Sequence, residues 1–261
     1  MSGVDDRGKD WRSELHLTRS SSFGRSVDAY ASARPTYPAE AVAWLVPEHA
    51  RDVVDLGAGT GKLTAGLAAT GDLRITAVEP DDTMRAALAA ALPEVTAVAG
   101  TAEATGLPDA SADLVTVGQA WHWFDPLPAT REVTRVLRPG GRLAVVWNVL
   151  LEGELDWADA YFEIVHRGDP LDYSRTEDPV VGPGLGPWER ATFGWRRTIR
   201  PDELRRLASS RSHLIAMSPP DRDCLLAEVD ALWRTHPDLV GRSSAELPYV
   251  TRCWRATREQ D

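Results

Sequence analysis

"VVDLGAGTGKLT", residues 53–64, joins a short apolar run to an acidic residue and three alternating glycines. Residues 51–57 predict a β-strand and residues 62–70 a helix, so the glycines lie in the turn between them. Glycine adopts positive φ readily and lets a backbone approach a ligand closely. The stretch therefore predicts a loop that wraps a small charged cofactor, with a tight turn that binds nothing as the alternative.

The spacing of the glycines indicates which ligand fits. The dinucleotide fingerprint is G-x-G-x-x-G, but Lys62 occupies the position of its third glycine. A pyrophosphate is bound by bare backbone amides at a helix N-terminus. Asp55 beside the loop suits a ligand with an ammonium group better. A dinucleotide-dependent oxidoreductase is thus the less favoured alternative. It would also need a proton relay, for example a serine with a Tyr–Lys pair, and the only lysine besides Lys62 is Lys9 in the N-terminal tail.

A second acidic residue, Glu79, ends the next predicted strand, residues 73–79. A carboxylate at this position can accept hydrogen bonds from both hydroxyls of a ribose, which adenosine cofactors require. The loop and Glu79 together favour an adenosine-containing ligand over the ligand-free turn.

The chain alternates short apolar runs with helical patterns, which predicts an α/β fold with parallel strands and helices on both faces of the sheet. Ligands of such sheets bind at the carboxyl ends of the strands. Further strands are expected at 94–100, 112–118, 142–148, 190–199 and 246–256, with the last pair antiparallel in part. Further helices are expected at 81–92, 202–210 and 221–236, and another from residue 128 that is stopped by Pro139, Gly140 and Gly141.

The organisation of the chain is that of one domain with an insertion. Residues 1–22 are polar and aperiodic and predict a disordered tail. Residues 23–261 form the single predicted domain, in which about 151–190 breaks the alternation and is expected to be an inserted cap over the substrate.

Composition excludes several classes of function. The formal net charge is −10, which disfavours nucleic acid and anionic membranes as partners because the long-range field repels them. Cys224 and Cys253 form no C-x-x-C pattern, so neither a disulfide framework nor a metal site is expected. The start of the chain lacks the apolar core of a signal peptide. We expect a soluble, cytoplasmic protein.

Four motifs in order resemble the class I S-adenosylmethionine-dependent methyltransferases. The segments at 53–64, 77–84, 100–125 and 135–148 are similar to the methyltransferase type 11 group, and within it to relatives of trans-aconitate methyltransferase. The resemblance implies a Rossmann-like, mostly parallel seven-stranded sheet. It also implies methyl transfer from S-adenosylmethionine to a small organic molecule by direct in-line displacement, with an oxygen acceptor such as a carboxylate or hydroxyl favoured. A noncatalytic S-adenosylmethionine-binding module is the alternative.

The resemblance also implies roles for individual residues. Asp55 and the backbone of Gly57, Gly59 and Gly61 are expected to bind the methionine part of the cofactor. Glu79 is expected to bind the ribose. Pro80 and Met84 are expected beside the adenine, Ala102 and Glu103 at its edge, and Gln119 near the methionine end. Many relatives carry aspartate where this chain has Thr101. The segment "YASARPTYP" suggests that Tyr30 or Arg34 closes over the cofactor carboxylate, with ordinary packing as the alternative.

The segment "QAWHWFD", residues 119–125, places aromatic side chains and His122 after the fourth predicted strand. An aromatic wall suits a sulfonium donor, so Trp121 and Trp123 are expected to line the substrate site, although core packing is an equal alternative. His122 is a candidate general base, a substrate-orienting residue or a structural group, and a carboxylate acceptor needs no base. From the cap, Trp157 is the further substrate-binding candidate.

Overall fold

The computed structural model describes residues 34–169 and 178–259. The predicted tail at 1–22 and the substrate-binding candidate Tyr30 lie outside these residues. Within them, no helix is both long enough and apolar enough to cross a bilayer.

Seven strands form one mixed sheet in the order β3-β2-β1-β4-β5-β7-β6. The first five run parallel, whereas β7 is antiparallel to both β5 and β6. The expected mostly parallel, seven-stranded α/β sheet is therefore confirmed, as is the antiparallel pairing at its end. The strands are β1 (Asp52–Leu56), β2 (Arg74–Val78), β3 (Thr96–Val98), β4 (Ala112–Gly118), β5 (Leu137–Leu150), β6 (Glu189–Ile199) and β7 (Ala245–Thr257).

Eight helices accompany the sheet in the described part of the chain. They are α1 (Ala39–Leu45), α2 (Lys62–Ala68), α3 (Asp82–Ala91), α4 (Pro126–Val136), α5 (Asp156–His166), α6 (Pro201–Ser209), α7 (Ser212–Ala216) and α8 (Pro219–Thr235). A short 3-10 helix, Trp121–Trp123, follows β4. The sequence analysis did not predict α1, α7 and the 3-10 helix, all of which are short.

The boundary between α4 and β5 lies earlier than predicted. The helix ends at Val136 and the strand begins at Leu137, which pairs with Ala112 of β4. Pro139 explains the difference, because a proline disfavours the helical conformation of the residue before it, here Arg138. The helix expected to stop at Pro139, Gly140 and Gly141 therefore ends slightly earlier, and the strand expected from residue 142 begins at Leu137.

Apolar side chains cover both faces of the sheet. One face buries residues such as Val115 and Val145 against α4. The other buries residues such as Leu114 and Val146 against α1 and α2. These neighbours alternate along β4 and β5 because successive strand residues point to opposite faces.

A third apolar cluster, which we call the helical cap, joins α5, α6, α7 and α8 to the rim ends of β6 and β7. Helix α5 lies inside the predicted insertion at 151–190, and α6–α8 follow β6. The cap thus draws on chain segments on both sides of β6. This extends the surface above the carboxyl ends of the strands.

Candidate functional site

The glycine loop connects β1 to α2 with its backbone held in a compact turn. The N–H groups of Gly57 and Ala58 both donate to the Val78 carbonyl at the end of β2, at 2.9 and 3.2 Å. Gly57, Gly59 and Gly61 all have positive φ, at 67°, 57° and 84°. Only glycine adopts this region at little cost. The loop is therefore fixed to the neighbouring strand at the sheet's carboxyl edge.

The three glycines have different surroundings. A Cβ at Gly57 would lie 2.9 Å from the Cβ of Ala120, and one at Gly61 would lie 3.0 Å from Cγ of Leu88. A Cβ at Gly59 would meet only the sulfur of Met84, at 3.9 Å. Packing thus explains two of the glycines, whereas Gly59 keeps a surface open to a ligand.

Asp55 lies beneath the loop and is 1% exposed. Its carboxylate accepts hydrogen bonds from the Thr64 hydroxyl at 2.5 Å and the Thr116 hydroxyl at 3.0 Å. Burial raises the pKa of Asp55 to about 6, and the nearby charge of Glu79 adds to the increase. A cationic group above the loop would favour the ionised form.

Glu79 joins the end of β2 to the glycine loop. One carboxylate oxygen accepts from the Gly59 N–H at 2.8 Å, and the other accepts from the Asp81 N–H at 2.9 Å. Burial raises the pKa of Glu79, and these two hydrogen bonds oppose the increase. Because each carboxylate oxygen can accept a second bond, Glu79 can still bind a vicinal diol.

Residues expected around an adenine take different positions at this edge. Met84 is buried below Gly59, while Pro80 is exposed. Ala102 is 3% exposed in the turn closed by a bridge between Thr101 and Ala104. The carboxylate of Glu103 accepts from the Asp125 N–H at 3.0 Å, at the start of α4.

That turn is held from below by Glu132 of α4. The Thr105 N–H donates to its carboxylate at 2.8 Å and the Thr105 hydroxyl at 2.5 Å. The hydrogen-bonded guanidinium of Arg135, together with Thr105, lowers the pKa of Glu132 to about 2. Sequence reasoning missed Glu132, because a helical glutamate next to an arginine is an ordinary surface pattern.

Gln119 is strained at the end of β4. Its φ is +58°, which is rare for a residue with a Cβ and is typical of functional sites. The backbone N–H donates to the Val146 carbonyl at 2.9 Å, and the side-chain amide donates to the Asn148 carbonyl at 2.8 Å. The side chain is thus anchored to β5, which leaves the backbone to face the rim.

The residues after Gln119 divide into core and rim. Trp121 is 2% exposed, and its indole N–H donates to the Val180 carbonyl at 2.8 Å. Trp123 and His122 are half-buried, with ring centroids 4.7 Å apart. The Trp147 indole N–H donates to Nδ1 of His122 at 3.2 Å. In a neutral His122 this bond places the proton on Nε2.

Other tryptophans stabilise the structure. The indole N–H groups of Trp188 and Trp254 donate to the Pro179 carbonyl, at 3.1 Å, and the Asp178 carboxylate, at 2.8 Å. Trp157 is 3% exposed and packs edge-on against Trp233 within the helical cap. These contacts are those of core residues, so we do not include Trp157 in the proposed substrate site.

A polar network that the sequence did not indicate joins the rim ends of β5, β6 and β7. Asn148 donates to the Thr36 carbonyl at 3.0 Å and accepts from the Thr251 hydroxyl at 2.6 Å. The Trp195 indole N–H donates to that same hydroxyl at 2.9 Å. Asn148 interrupts an apolar strand in the sequence, which is the one signal that could have identified it.

The segment before α1 crosses the rim above this network. A Cβ at Gly118 would lie 2.8 Å from the Tyr37 hydroxyl. The Arg34 guanidinium donates to the Ser210 carbonyl at 3.0 Å in the helical cap. Arg34 was expected over a cofactor carboxylate, and the structure places it toward the cap.

The loop also contains a buried polar atom whose hydrogen bond is missing. Among the described residues, nothing pairs with the Thr60 hydroxyl, next to the open surface of Gly59. Together with the carboxylates of Asp55 and Glu79, these features suit a ligand with a diol and a cationic group. The fold and the site define a Rossmann-like protein whose sheet edge suits a nucleoside ligand.

Comparison with known proteins identifies the family. A family model described as a methyltransferase domain matches residues 54–145, from β1 into β5. An uncharacterized methyltransferase of Mycobacterium tuberculosis is 47% identical over 238 residues, which cover 90% of this chain and 95% of the relative. One from Schizosaccharomyces pombe is 31% identical, covering 88% of this chain and 94% of the relative. The chain belongs to this methyltransferase family, and it is a methyltransferase.

Solved structures agree with this assignment. A structure from Anaeromyxobacter dehalogenans, assigned as a type II methyltransferase, has a TM-score of 0.64 and 26% identity, covering 87% of this chain and 97% of that one. A phosphoethanolamine N-methyltransferase of Haemonchus contortus, in complex with phosphomonomethylethanolamine and S-adenosylhomocysteine, has a TM-score of 0.53 and 15% identity. It covers 94% of this chain and 59% of the other. At that identity the likeness concerns the fold alone.

Proposed function

We propose that the protein transfers a methyl group from S-adenosylmethionine to a small organic molecule, with an oxygen acceptor, a carboxylate or hydroxyl, favoured. The observation that carries this proposal is the Glu79 carboxylate, buried at the sheet edge and bonded to the Gly59 N–H at 2.8 Å. This hydrogen bond places the carboxylate that can accept from the ribose diol next to the glycine loop, beside which the cationic part of the ligand would lie. The chain's membership in the methyltransferase family supports the choice of cofactor.

Each end of the cofactor has candidate residues. Glu79 would accept from the ribose hydroxyls, with Pro80, Met84, Ala102 and Glu103 around the adenine. Asp55 is buried, so it would act on the methionine ammonium chiefly through its charge, which falls off slowly in a region of low dielectric constant. The remaining contacts would come from the backbone of Gly57, Gly59, Gly61 and Gln119.

When bound, S-adenosylmethionine supplies a methyl group activated by a sulfonium, and in-line attack by an acceptor oxygen forms the carbon–oxygen bond as the carbon–sulfur bond breaks. The chain's part in this reaction is positioning and exclusion of water. The anchored Gln119 backbone and the Tyr37 side chain over Gly118 lie at the end of β4, near the expected methionine end. A carboxylate acceptor is already ionised at neutral pH and needs no base.

His122 is best suited to orient the acceptor. Its Nδ1 accepts from Trp147, so the neutral ring is a donor at Nε2. A donor can hold an acceptor oxygen but cannot remove a proton from it. Trp123, whose ring is tilted against that of His122, would provide an aromatic wall beside the sulfonium.

Ligand binding and turnover test the proposal in sequence. Thermal shift with S-adenosylmethionine, S-adenosylhomocysteine and NAD should show stabilisation by the first two, because a ligand that binds the folded state stabilises it. A shift with NAD alone contradicts the proposal. Radiolabelled methyl donor with a panel of carboxylic acids and alcohols should then yield labelled ester or ether. Binding without transfer across the panel and a cell extract would favour a noncatalytic module.

A further inference from the structure

A cluster of cationic and phenolic side chains lies between the sheet rim and the helical cap. Tyr161 of α5 is 0% exposed and Tyr249 of β7 is 4% exposed, and both belong to the apolar cluster of the cap. Trp195 of β6 stacks on Tyr249 with ring centroids 4.7 Å apart. Two phenols therefore lie in an apolar environment at the end of β7.

Three arginines from distant parts of the chain surround these phenols. Arg211 precedes α7, and Arg34 donates to Ser210 beside it. Arg197 is two residues beyond Trp195 on β6, so its side chain leaves the same face of the sheet. Burial raises the pKa of Tyr161, whereas the Arg211 guanidinium against its hydroxyl and the charges of all three arginines oppose the increase. Both effects recur at Tyr249, so the phenols stay protonated and can donate.

Arg211 is held in place by a histidine. Its guanidinium donates to Nε2 of His166 at 2.7 Å, while Nδ1 of His166 lies 2.9 Å from the Phe162 carbonyl. Since arginine only donates, Nε2 must accept, and the His166 proton is on Nδ1. This arrangement fixes the guanidinium against Tyr161 without neutralising its charge.

Two polar atoms in the cluster have unused hydrogen-bonding capacity. The Tyr161 hydroxyl and Nε of Arg211 are buried without a hydrogen bond of normal geometry to any described residue. Buried donors of this kind are rare, because each costs free energy when it is left unpaired. Both atoms are donors here, so an acceptor such as an anionic oxygen is the group that would satisfy them.

The cluster is close to the expected cofactor site. The positive charge of Arg197, together with burial as the larger cause, lowers the pKa of Lys62, which directly follows Gly61. The segment containing Arg34 also carries Tyr37, whose hydroxyl lies over Gly118. The cationic cluster therefore borders the end of β4, where the methyl group would be presented.

We propose that Arg34, Arg197 and Arg211, with the hydroxyls of Tyr161 and Tyr249, form a subsite for an anionic group on the methyl acceptor, a carboxylate or a phosphate. This proposal rests on the function proposed above. Arginine suits such a subsite because its planar fork matches both anions. Arg167, at the end of α5, instead pairs with Glu228 at the surface.

Calorimetry with the full chain saturated with S-adenosylhomocysteine tests the subsite. Inorganic phosphate, succinate and uncharged succinamide are titrated separately at low salt. We expect succinate or phosphate to bind, the tighter of the two identifying the anion, and succinamide not to bind. Arg197→Gln and Arg211→Gln should each weaken the anion at least about tenfold, the usual effect of losing a charged hydrogen bond.

Arg196→Gln is the matched control, because Arg196 is the exposed neighbour of Arg197 on the opposite face of β6 and pairs with Glu154. It should bind the anion as the unmodified chain does. If S-adenosylhomocysteine binds but neither anion does, or if all three variants lose the anion equally, the subsite is wrong and the proposed function is unaffected. Failure to bind S-adenosylhomocysteine contradicts the proposed function itself.

Tyr161→Phe separates recognition from folding. The hydroxyl it removes is buried and unpaired, so thermal stability should stay the same or rise, while anion binding weakens several-fold. A large fall in stability with unchanged anion binding would show that the hydroxyl is structural and would overturn its place in the subsite.

Discussion

The cofactor edge, by which we mean Asp55, the glycine loop and Glu79, and the helical cap form two sides of one rim. They are assembled in different ways. Asp55, Gly59 and Glu79 come from β1, the loop after it and the end of β2, and Glu79 bonds directly to Gly59. The one distant support is the hydroxyl of Thr116 on β4, which donates to Asp55. The cationic cluster instead combines Arg34, Arg197 and Arg211 from three separate segments. A cofactor that all members of a family share can be bound by a local sequence motif. The residues that bind the methyl acceptor can differ between members, because long-range packing brings them together.

The largest effect is expected from Glu79→Gln. The amide has one oxygen acceptor instead of two, so it cannot keep its bonds to Gly59 and Asp81 and also bind the ribose diol. S-adenosylhomocysteine should bind about a hundredfold more weakly, a loss of roughly 3 kcal/mol. Calorimetry measures this loss, with Glu94→Gln as the control at an exposed glutamate. An unchanged affinity would show that the diol is bound elsewhere.

The buried Asp55 predicts a pH dependence confined to the cofactor edge. Its pKa is about 6 in the ligand-free chain, and a cationic ligand binds the ionised form more tightly. The affinity for S-adenosylmethionine should therefore decrease below about pH 6, by up to about tenfold per pH unit. Asp55→Asn should bind weakly at every pH and lack this decrease. A decrease that persists in the variant would assign the titration to another group.

The stability of the ligand-free chain has the opposite sign. The folded state holds the Asp55 proton more tightly than the unfolded state, whose pKa is near the ordinary 3.8. This group's contribution to the free energy of unfolding is therefore fully present below about pH 4 and decreases as the pH rises to about 6. Denaturant unfolding of the unmodified chain and Asp55→Asn over this range measures the difference.

Two glycine variants separate packing from ligand approach within the loop. Gly61→Ala has both a positive φ and a close contact with Leu88, so it should lower the free energy of unfolding by roughly 2–4 kcal/mol. Gly59→Ala has the φ cost of roughly 1–2 kcal/mol alone, but its methyl group enters the ligand surface. It should weaken S-adenosylhomocysteine about tenfold. If Gly61→Ala and Gly59→Ala lower the free energy of unfolding equally and weaken S-adenosylhomocysteine equally, the assignment of Gly61 to packing and Gly59 to ligand approach is wrong.

The smallest effect is expected at His122. If it orients the acceptor, His122→Gln should raise KM a few-fold and leave kcat nearly unchanged, because glutamine also donates. A general base would instead contribute roughly a hundredfold or more to kcat. Steady-state rates with an acceptor found in the panel, measured from about pH 6 to 9, distinguish these outcomes. A large loss of kcat that grows as the pH rises, where a general base would be deprotonated and active, would contradict the orienting role.

Much of the fold followed from local patterns in the sequence. The run at residues 112–118 coincides with β4, because apolar residues bounded by turn signals encode a buried strand directly. The sequence placed the stop of α4 at Pro139, Gly140 and Gly141, whereas the helix ends at Val136 because Leu137 already pairs with Ala112 of β4. The prediction that β6 and β7 are antiparallel was confirmed, but the position of β7 between β5 and β6 depends on strand pairing that no single segment specifies.

The amino-acid sequence by itself indicated the cofactor edge. The strand β1, the glycine loop and the acidic residue after β2 are close in the chain, so the local strand–loop–helix fold brings them together. Only the tertiary structure decided that Trp121 and Trp157 are core residues, and that Arg34, Arg197 and Arg211 converge on Tyr161. The physical reason is distance along the chain: backbone geometry relates near neighbours, whereas the approach of remote side chains depends on how whole elements pack.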